Sequence, residues 1–539
     1  MRAGHLRRFG SFGATGLLAA LTILGASAGG AVGGAAPVAS ALNALSPQLV
    51  TLPRVPGVIT TTRTNYTYCT LPDGTMVNYF HCYNPQQIRA AYKVDSVNLA
   101  DGKPDMGQGQ TIVLVDAYGS PTAATDLQHF QETFFPNLPK PNFEQIFPQG
   151  NPQYHNTSHG NGLSGSNAAA GWSGEATLDI EWAYSIAPLA NIILMAVPPA
   201  ETEGVQGFPN LFKAIAGEIQ ATPRGTVFSM SFAATEQTLE AAGPAVVARL
   251  DQVFQMGLAR HDNFFAAAGD TGTLNASKVA RESGSYPYPT VSWPASSPYV
   301  VAVGGTQLQY GWTWNPSSNT AFTSSGFNGD YWQSTSSGDT QAVWNESWAP
   351  IATGGGVSTL YARPKWQKGV DPQYGDHRLL PDTSWNAAVN GGVDVYISAY
   401  PEYNCGQPTG CWTVYGGTSA ATPQTAALVA LLNASLASQR KGPIGFLDPL
   451  LYELGNSLYS SGAYQDIVPQ HYGSAPATFS GSEVGVSGQV MKSVGDLMDN
   501  QLWQVGVPGY ATTTGYDPTT GWGVPVAPEF VSALGALGG

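Results

Sequence analysis

Charge is what this sequence has least of. Lys, Arg, Asp and Glu make up 11% of the 539 residues, where soluble proteins carry about 25%. Cations are the scarcer kind, with 22 Lys and Arg against 36 Asp and Glu and a net charge of −14. No basic cluster occurs, which excludes nucleic acid as a main partner, because phosphate binding needs grouped Lys and Arg. The same scarcity leaves little to hold an anionic membrane surface. Long apolar runs are also missing. The stretch Ala14 to Leu24 falls well short of the roughly 20 residues that a membrane span requires. Only four cysteines occur, with no C-x-x-C spacing, which argues against a four-thiolate zinc site. What is abundant is glycine (64), proline (39) and apolar residues (43%), the composition of a folded, loop-rich chain and not a disordered one.

The N-terminus has the order of a secretory signal peptide. Arg2, Arg7 and Arg8 precede the apolar stretch, which ends near Ala26-Ser27-Ala28, an A-x-A type cleavage site. Residues 1–28 are therefore expected to be removed on export, with Arg7-Arg8 leaving a twin-arginine route open. The expected location is extracellular, with no stable membrane span after cleavage. In that compartment Cys69 with Cys82 and Cys405 with Cys411 are expected to form local disulfides. Residues 29–80 are expected to form an Ala/Gly/Pro-rich arm or short pro-segment, and 81–539 one large domain.

A helix is expected to start near Pro85. Continuous apolar runs at Thr111–Val115, Ile192–Val197, Thr226–Met230, Phe264–Ala268 and Val300–Val303 read as strands buried on both faces of a parallel sheet. Helical stretches at Glu175–Ile186, Ala241–Gly257 and 424–440 complete an alternation that predicts a doubly wound α/β fold. Residues 308–350, rich in Ser, Thr, Asn, Gly and Trp, read as a surface excursion with irregular strands.

Three segments carry chemistry. Gly416-Gly417-Thr418-Ser419-Ala420-Ala421-Thr422-Pro423 runs into an apolar helix. A serine at such a Gly-rich turn exposes its hydroxyl where a helix N-terminus favours developing negative charge. In Gly174-Glu175-Ala176-Thr177-Leu178-Asp179-Ile180-Glu181-Trp182, Glu175 and Asp179 are four apart and share a helix face, while Glu181 points elsewhere. Two adjacent carboxyls can share a proton and supply a base at acid pH, where histidine is charged. Ala266-Ala267-Ala268-Gly269-Asp270-Thr271-Gly272 ends an apolar strand in an acid, at the edge where α/β proteins place their sites. Protonated, Asp270 is able to donate to an oxyanion. None of the eight histidines lies in a His-Gly-x-His context, and His155 and His159 lack the Glu of a helical zinc-protease motif.

Together these residues resemble the sedolisin family, the serine-carboxyl peptidases of the subtilisin-like clan, on its kumamolisin-like side. The likeness runs from about Tyr83 to Ala533. It includes Tyr83-Asn84-Pro85-Gln86-Gln87-Ile88, Ser229-Met230-Ser231, Pro294-Ala295-Ser296-Ser297-Pro298-Tyr299, Gly304-Gly305-Thr306, Gly354-Gly355-Gly356-Val357-Ser358 and Arg378-Leu379-Leu380-Pro381-Asp382. The resemblance implies a subtilisin-like fold and a peptidase acting on proteins or peptides. It implies Ser419 as nucleophile, Glu175 as general base, Asp179 as its orienting partner and Asp270 as oxyanion donor. Asp116 matches a position where the family carries an acid of the same network. Activity is then expected in an acidic window of roughly pH 3–5, set by ordinary carboxyl pKa values.

The resemblance further implies one structural calcium ion, held by the side chains of Asp466 and Asp517 and the carbonyls of Ile467, Thr513 and Gly515. Oxygen donors of this kind suit a hard cation. Thr513 stands where the family usually has glycine, and the two halves lie farther apart than usual. The family's large N-terminal pro-domain has only about 55 residues to correspond to it here, between Ala28 and Tyr83. The expected activity is that of a secreted, monomeric endopeptidase. An exopeptidase of the same family and an inactive homologue with a binding role are the alternatives.

Overall fold

The computed structural model describes residues 46–47, 69–77, 82–151, 166–202, 205–240, 242–277, 284–309, 312–314, 332–334, 340–346, 351–389, 391–406, 408–471, 496–502 and 507–537. Residues 1–28, His155 and His159 lie outside them. The apolar runs form β1 (Thr111–Ala117), β2 (Phe143–Ile146), β3 (Asn191–Val197), β4 (Val227–Met230), β5 (Asn263–Ala267) and β6 (Val301–Gln309). With β7 (Thr340–Val343) and β8 (Thr383–Asn386) they make an eight-stranded sheet in the order β7-β6-β5-β4-β1-β3-β2, with β8 also on β6. Every pairing is parallel except that of β7 with β6. Residues 340–343 thus form a sheet edge, with Ala342, Val343 and the following Trp344 buried, where composition implied a surface excursion.

Alternation along each strand explains the runs. Ile112, Leu114, Ile192, Leu194 and Val227 enter one apolar cluster, whereas Val113, Val115, Ile193, Met195 and Phe228 enter another on the opposite face. A strand covered on both sides needs apolar residues at every position. On the first face lie α1 (Pro85–Ala91), α2 (Ala123–Phe134) and α3 (Ser166–Ile186), and on the second α4 (Phe208–Ala221) and α5 (Pro244–Leu258). The first face is completed by α6 (Thr418–Ser438) and α7 (Ala527–Gly535). The start of α1 is fixed by a capping box, in which Asn84 Oδ1 accepts from Gln87 N and Gln87 Oε1 from Asn84 N.

Two helices start earlier than periodicity implied. α3 begins at Ser166 and α6 at Thr418, so Ser419 already belongs to the first turn of α6. Gly417, at φ 101°, makes the corner from the strand Cys411–Tyr415 into that helix, a backbone state open to glycine. Every residue from Thr418 to Leu436 is buried, as befits a helix apolar all round. Within the arm, Cys69–Thr70 pairs with Met76–Val77, and Ser46–Pro47 pairs antiparallel with Phe232–Ala233. Both expected disulfides are present, Cys69–Cys82 and Cys405–Cys411. No helix among the described residues is long and apolar enough to cross a membrane.

Candidate active site

β1, β4 and β5 are neighbours running the same way, so their C-terminal ends make one edge. Asp116 is the penultimate residue of β1, Ser231 follows β4, and Asp270 lies three residues past β5. Over this edge stands the N-terminus of α6, where Ser419 Oγ donates to the Ser231 carbonyl at 3.2 Å. Asp116 shares the parity of Ile112 and Leu114 and so faces the layer of α3 and α6. The fold thus brings Ser419, Glu175, Asp179 and Asp270 together with Asp116, as expected from sequence, and adds Ser231 and Thr418.

α3 is buried along the whole stretch from Trp172 to Ile186, so its polar residues need partners. The hydroxyls find them within the helix: Thr177 Oγ1 donates to the Ser173 carbonyl and Ser185 Oγ to that of Glu181, each at 2.7 Å. The carboxyls do not. Both oxygens of Glu175, Asp179 and Asp116 are buried, and among the described residues they accept no hydrogen bond and enter no ion pair. Burial, then repulsion from Asp179 and Asp116, holds Glu175 well above the ordinary carboxyl range, with Ser419 acting against the rise. Burial, then Asp116, does the same to Asp179, opposed by the Ser231 hydroxyl. Burial alone lifts Asp116 to about 8. The hydroxyls of Ser419 and Ser231 stand near enough to these acids to favour ionisation without closing hydrogen bonds of standard geometry. Apo sites are often looser than occupied ones in this way.

Asp270 is set differently. Its Oδ1 accepts from the Thr418 amide at 2.8 Å and the Thr418 hydroxyl at 2.7 Å, while its buried Oδ2 has no partner. Burial, outweighing both bonds, pushes its carboxyl up to about 7. The Ser419 N–H meets no acceptor among the described residues. Glu181 points away as expected, its Oε2 accepting from Tyr396 N at 3.0 Å. Thr418 escaped sequence reasoning because nothing in its spacing relates it to Asp270, 148 residues earlier.

The second predicted site is also brought together. Gly515 N donates to Asp466 Oδ2 at 2.9 Å and Thr513 N to Asp517 Oδ2 at 3.0 Å. Tyr459 feels both carboxylates, so the two halves stand side by side. Among the described residues no hydrogen bond reaches the carbonyls of Ile467, Thr513 or Gly515. Two carboxylates and three free carbonyls are a donor set that fits calcium.

The chain is similar to several peptidases. It is 31% identical to kumamolisin of Bacillus sp. (strain MN-32) over 290 residues, covering 53% of this chain and 43% of that one. It is 26% identical to tripeptidyl-peptidase sed4 of Aspergillus fumigatus over 464 residues, 80% of this chain and 64% of that one. With sedolisin of Pseudomonas sp. (strain 101) the identity is 30% over 280 residues, 51% and 35% of the two chains. The chain thus spans about a third to two-thirds of the length of these curated relatives. A solved Pseudomonas sedolisin, a serine-carboxyl proteinase complexed with two molecules of pseudo-iodotyrostatin, shares the fold at TM-score 0.56 and 24% identity, over 85% of this chain and 99% of that one. No family model matches.

Proposed function

The chain belongs to the sedolisin family, and we propose that it is a secreted serine-carboxyl endopeptidase that works in acid. The observation that carries this reading is the gathering of one serine hydroxyl, unpaired buried carboxyls and a half-free aspartic acid at one sheet edge. Ser419 Oγ attacks the scissile carbonyl carbon while Glu175 takes its proton. Asp179 and Asp116 beside Glu175 keep their protons, so that the group carries one charge and not three. The negative oxygen of the tetrahedral intermediate accepts from Asp270 Oδ2–H and from the free Ser419 amide. Glu175 then returns the proton to the leaving amine, and water, activated by the same carboxylate, hydrolyses the acyl-enzyme. An ionised Glu175 and a protonated Asp270 coexist only in acid to weakly acid solution.

One calcium ion fits the side chains of Asp466 and Asp517 with the carbonyls of Ile467, Thr513 and Gly515. When bound it supplies positive charge that ties the segment after Tyr464 to the loop before Asp517. Secretion rests on the N-terminal pattern of residues 1–28 and on two disulfides, which persist in oxidising compartments. The arm is read as a pro-segment, since Ser46–Pro47 lies along the strand that follows Ser231.

The test is digestion of a denatured protein between pH 2 and 8 with fragments mapped by mass spectrometry. Internal cleavages lost in Ser419→Ala support the endopeptidase. Release of short N-terminal peptides alone points to an exopeptidase. No cleavage at any pH, after the arm has been removed and calcium added, defeats the peptidase reading and favours a binding role.

A further inference from the structure

We propose that Thr418 is a positioning residue for catalysis, its amide and hydroxyl both occupying Asp270 Oδ1 so that the carboxylic proton is confined to Oδ2, the donor oxygen. The inference rests on the peptidase reading above and concerns how the oxyanion donor is oriented.

The hydrogen-bond directions are fixed by residues that have no choice. The Gly269 N–H, set by a backbone at φ 114°, donates to Thr418 Oγ1 at 3.1 Å. A backbone amide is donor only, so Thr418 Oγ1 accepts there and is left to donate its own hydrogen. Its one acceptor among the described residues is Asp270 Oδ1, at 2.7 Å, and the Thr418 amide reaches the same oxygen at 2.8 Å. An oxygen receiving two donors is the carbonyl oxygen of a neutral carboxyl. Were the proton on Oδ1 instead, the Thr418 hydrogen would lose its acceptor inside a buried site, a costly arrangement. Oδ2 is buried and unpartnered, and so carries the proton with no protein acceptor competing for it. Free rotation of the carboxyl would present the wrong oxygen half the time; the chain from Gly269 through Thr418 to Asp270 prevents that. The β-branched Thr418 side chain adds rigidity at χ1. The ionisable group facing Asp270 from α3 is Glu175, and from α6 the facing groups are the amide and hydroxyl of Thr418.

The experiment compares Thr418→Val and Thr418→Ser with wild type by kcat and KM across pH 3–8, with Ser419→Ala and Asp270→Ala in the same assay. Valine removes the hydroxyl and keeps the amide and branching. Its kcat is expected to fall roughly tenfold, the worth of one hydrogen bond, with KM unchanged. Thr418 donation favours the Asp270 carboxylate, so its loss moves the alkaline limb of kcat to higher pH. Serine restores both. A merely structural role predicts no upward movement of that limb. Should valine not fold, Thr418→Ala provides the same readouts. The proposal is overturned if Val and Ala match wild type, if the limb stays or moves down, or if serine fails to restore. Activity that survives Ser419→Ala and Asp270→Ala defeats the assignment of those two residues as nucleophile and oxyanion donor, a separate result.

Discussion

At the scale of single residues, the site is defined by carboxyls that nothing neutralises. Among the described residues, Glu175, Asp179 and Asp116 have neither cation nor hydrogen-bond donor to their oxygens, and burial dominates the rise of all three. Ser419→Ala should lower kcat by several orders of magnitude while leaving the melting temperature in place, because truncating the proposed nucleophile removes the chemistry and little packing. Glu175→Gln should abolish turnover at every pH. Asp270→Asn should keep a fraction of it, since an amide still donates. The pH–rate profile should be a bell whose alkaline limb lies near 7, where Asp270 loses its proton. Its acid limb is the first ionisation of the Glu175–Asp179–Asp116 group, which burial moves above ordinary carboxyl values. The window is therefore expected to lie above the pH 3–5 of reference carboxyls, in the direction that burial moves these acids. A rate rising through pH 7 and untouched by Glu175→Gln would contradict the assignment.

At the scale of elements, α3 and α6 place the chemistry, and both are buried. Leu428 lies mid-way along α6 with no exposure. Leu428→Ala should cost about 2–5 kcal/mol of stability, read as a lower midpoint in urea. Pro423 within α6 has no N–H to give the Ser419 carbonyl, so the turn bearing Ser419 lacks one helical bond. The C-terminal loops carry the proposed calcium site. Chelation of calcium should lower the melting temperature by mass action, and Asp517→Ala should reproduce the loss and abolish the response to chelator. Identical melting curves with and without chelator would remove the ion from the account. The strand following Ser231 also holds Ser46–Pro47 of the arm. Deleting residues 29–50 is expected to relieve a block on peptide cleavage, seen as loss of any lag in activation at acid pH.

For the whole molecule, buried acids extend well beyond the site. Asp105 and Glu201 are raised to about 7 and Asp251 and Asp262 to about 6, in each case chiefly by burial. A carboxyl whose folded pKa exceeds its unfolded value contributes stability that is complete below the unfolded value, near pH 4, and is lost as pH rises through the folded one. The window of loss is therefore about pH 4–8, and the net charge of −14 adds repulsion in the same direction. The melting temperature should be highest near pH 4 and fall steadily to pH 8, measured by calorimetry at constant calcium. A protein more stable at pH 8 than at pH 4 would refute this.

The sequence by itself determined the α/β class, because strands covered on both faces must be apolar on both, as the unbroken runs Ile112–Val115 and Ile192–Val197 are. It also determined the separate segments bearing Ser419, Glu175, Asp179 and Asp270, because glycines beside a serine and acids spaced four apart are local patterns. Both disulfides were legible for the same reason, each joining cysteines close in sequence. Only the tertiary structure decided that residues 340–343 close a sheet edge, since a strand's place depends on the partner it finds and not on its own composition. It alone decided which oxygen of Asp270 is free, because Thr418 reaches it across 148 residues of chain through the meeting of β5 with α6. Periodicity records what a residue must face; hydrogen-bond direction is settled only when distant segments arrive at the same buried point.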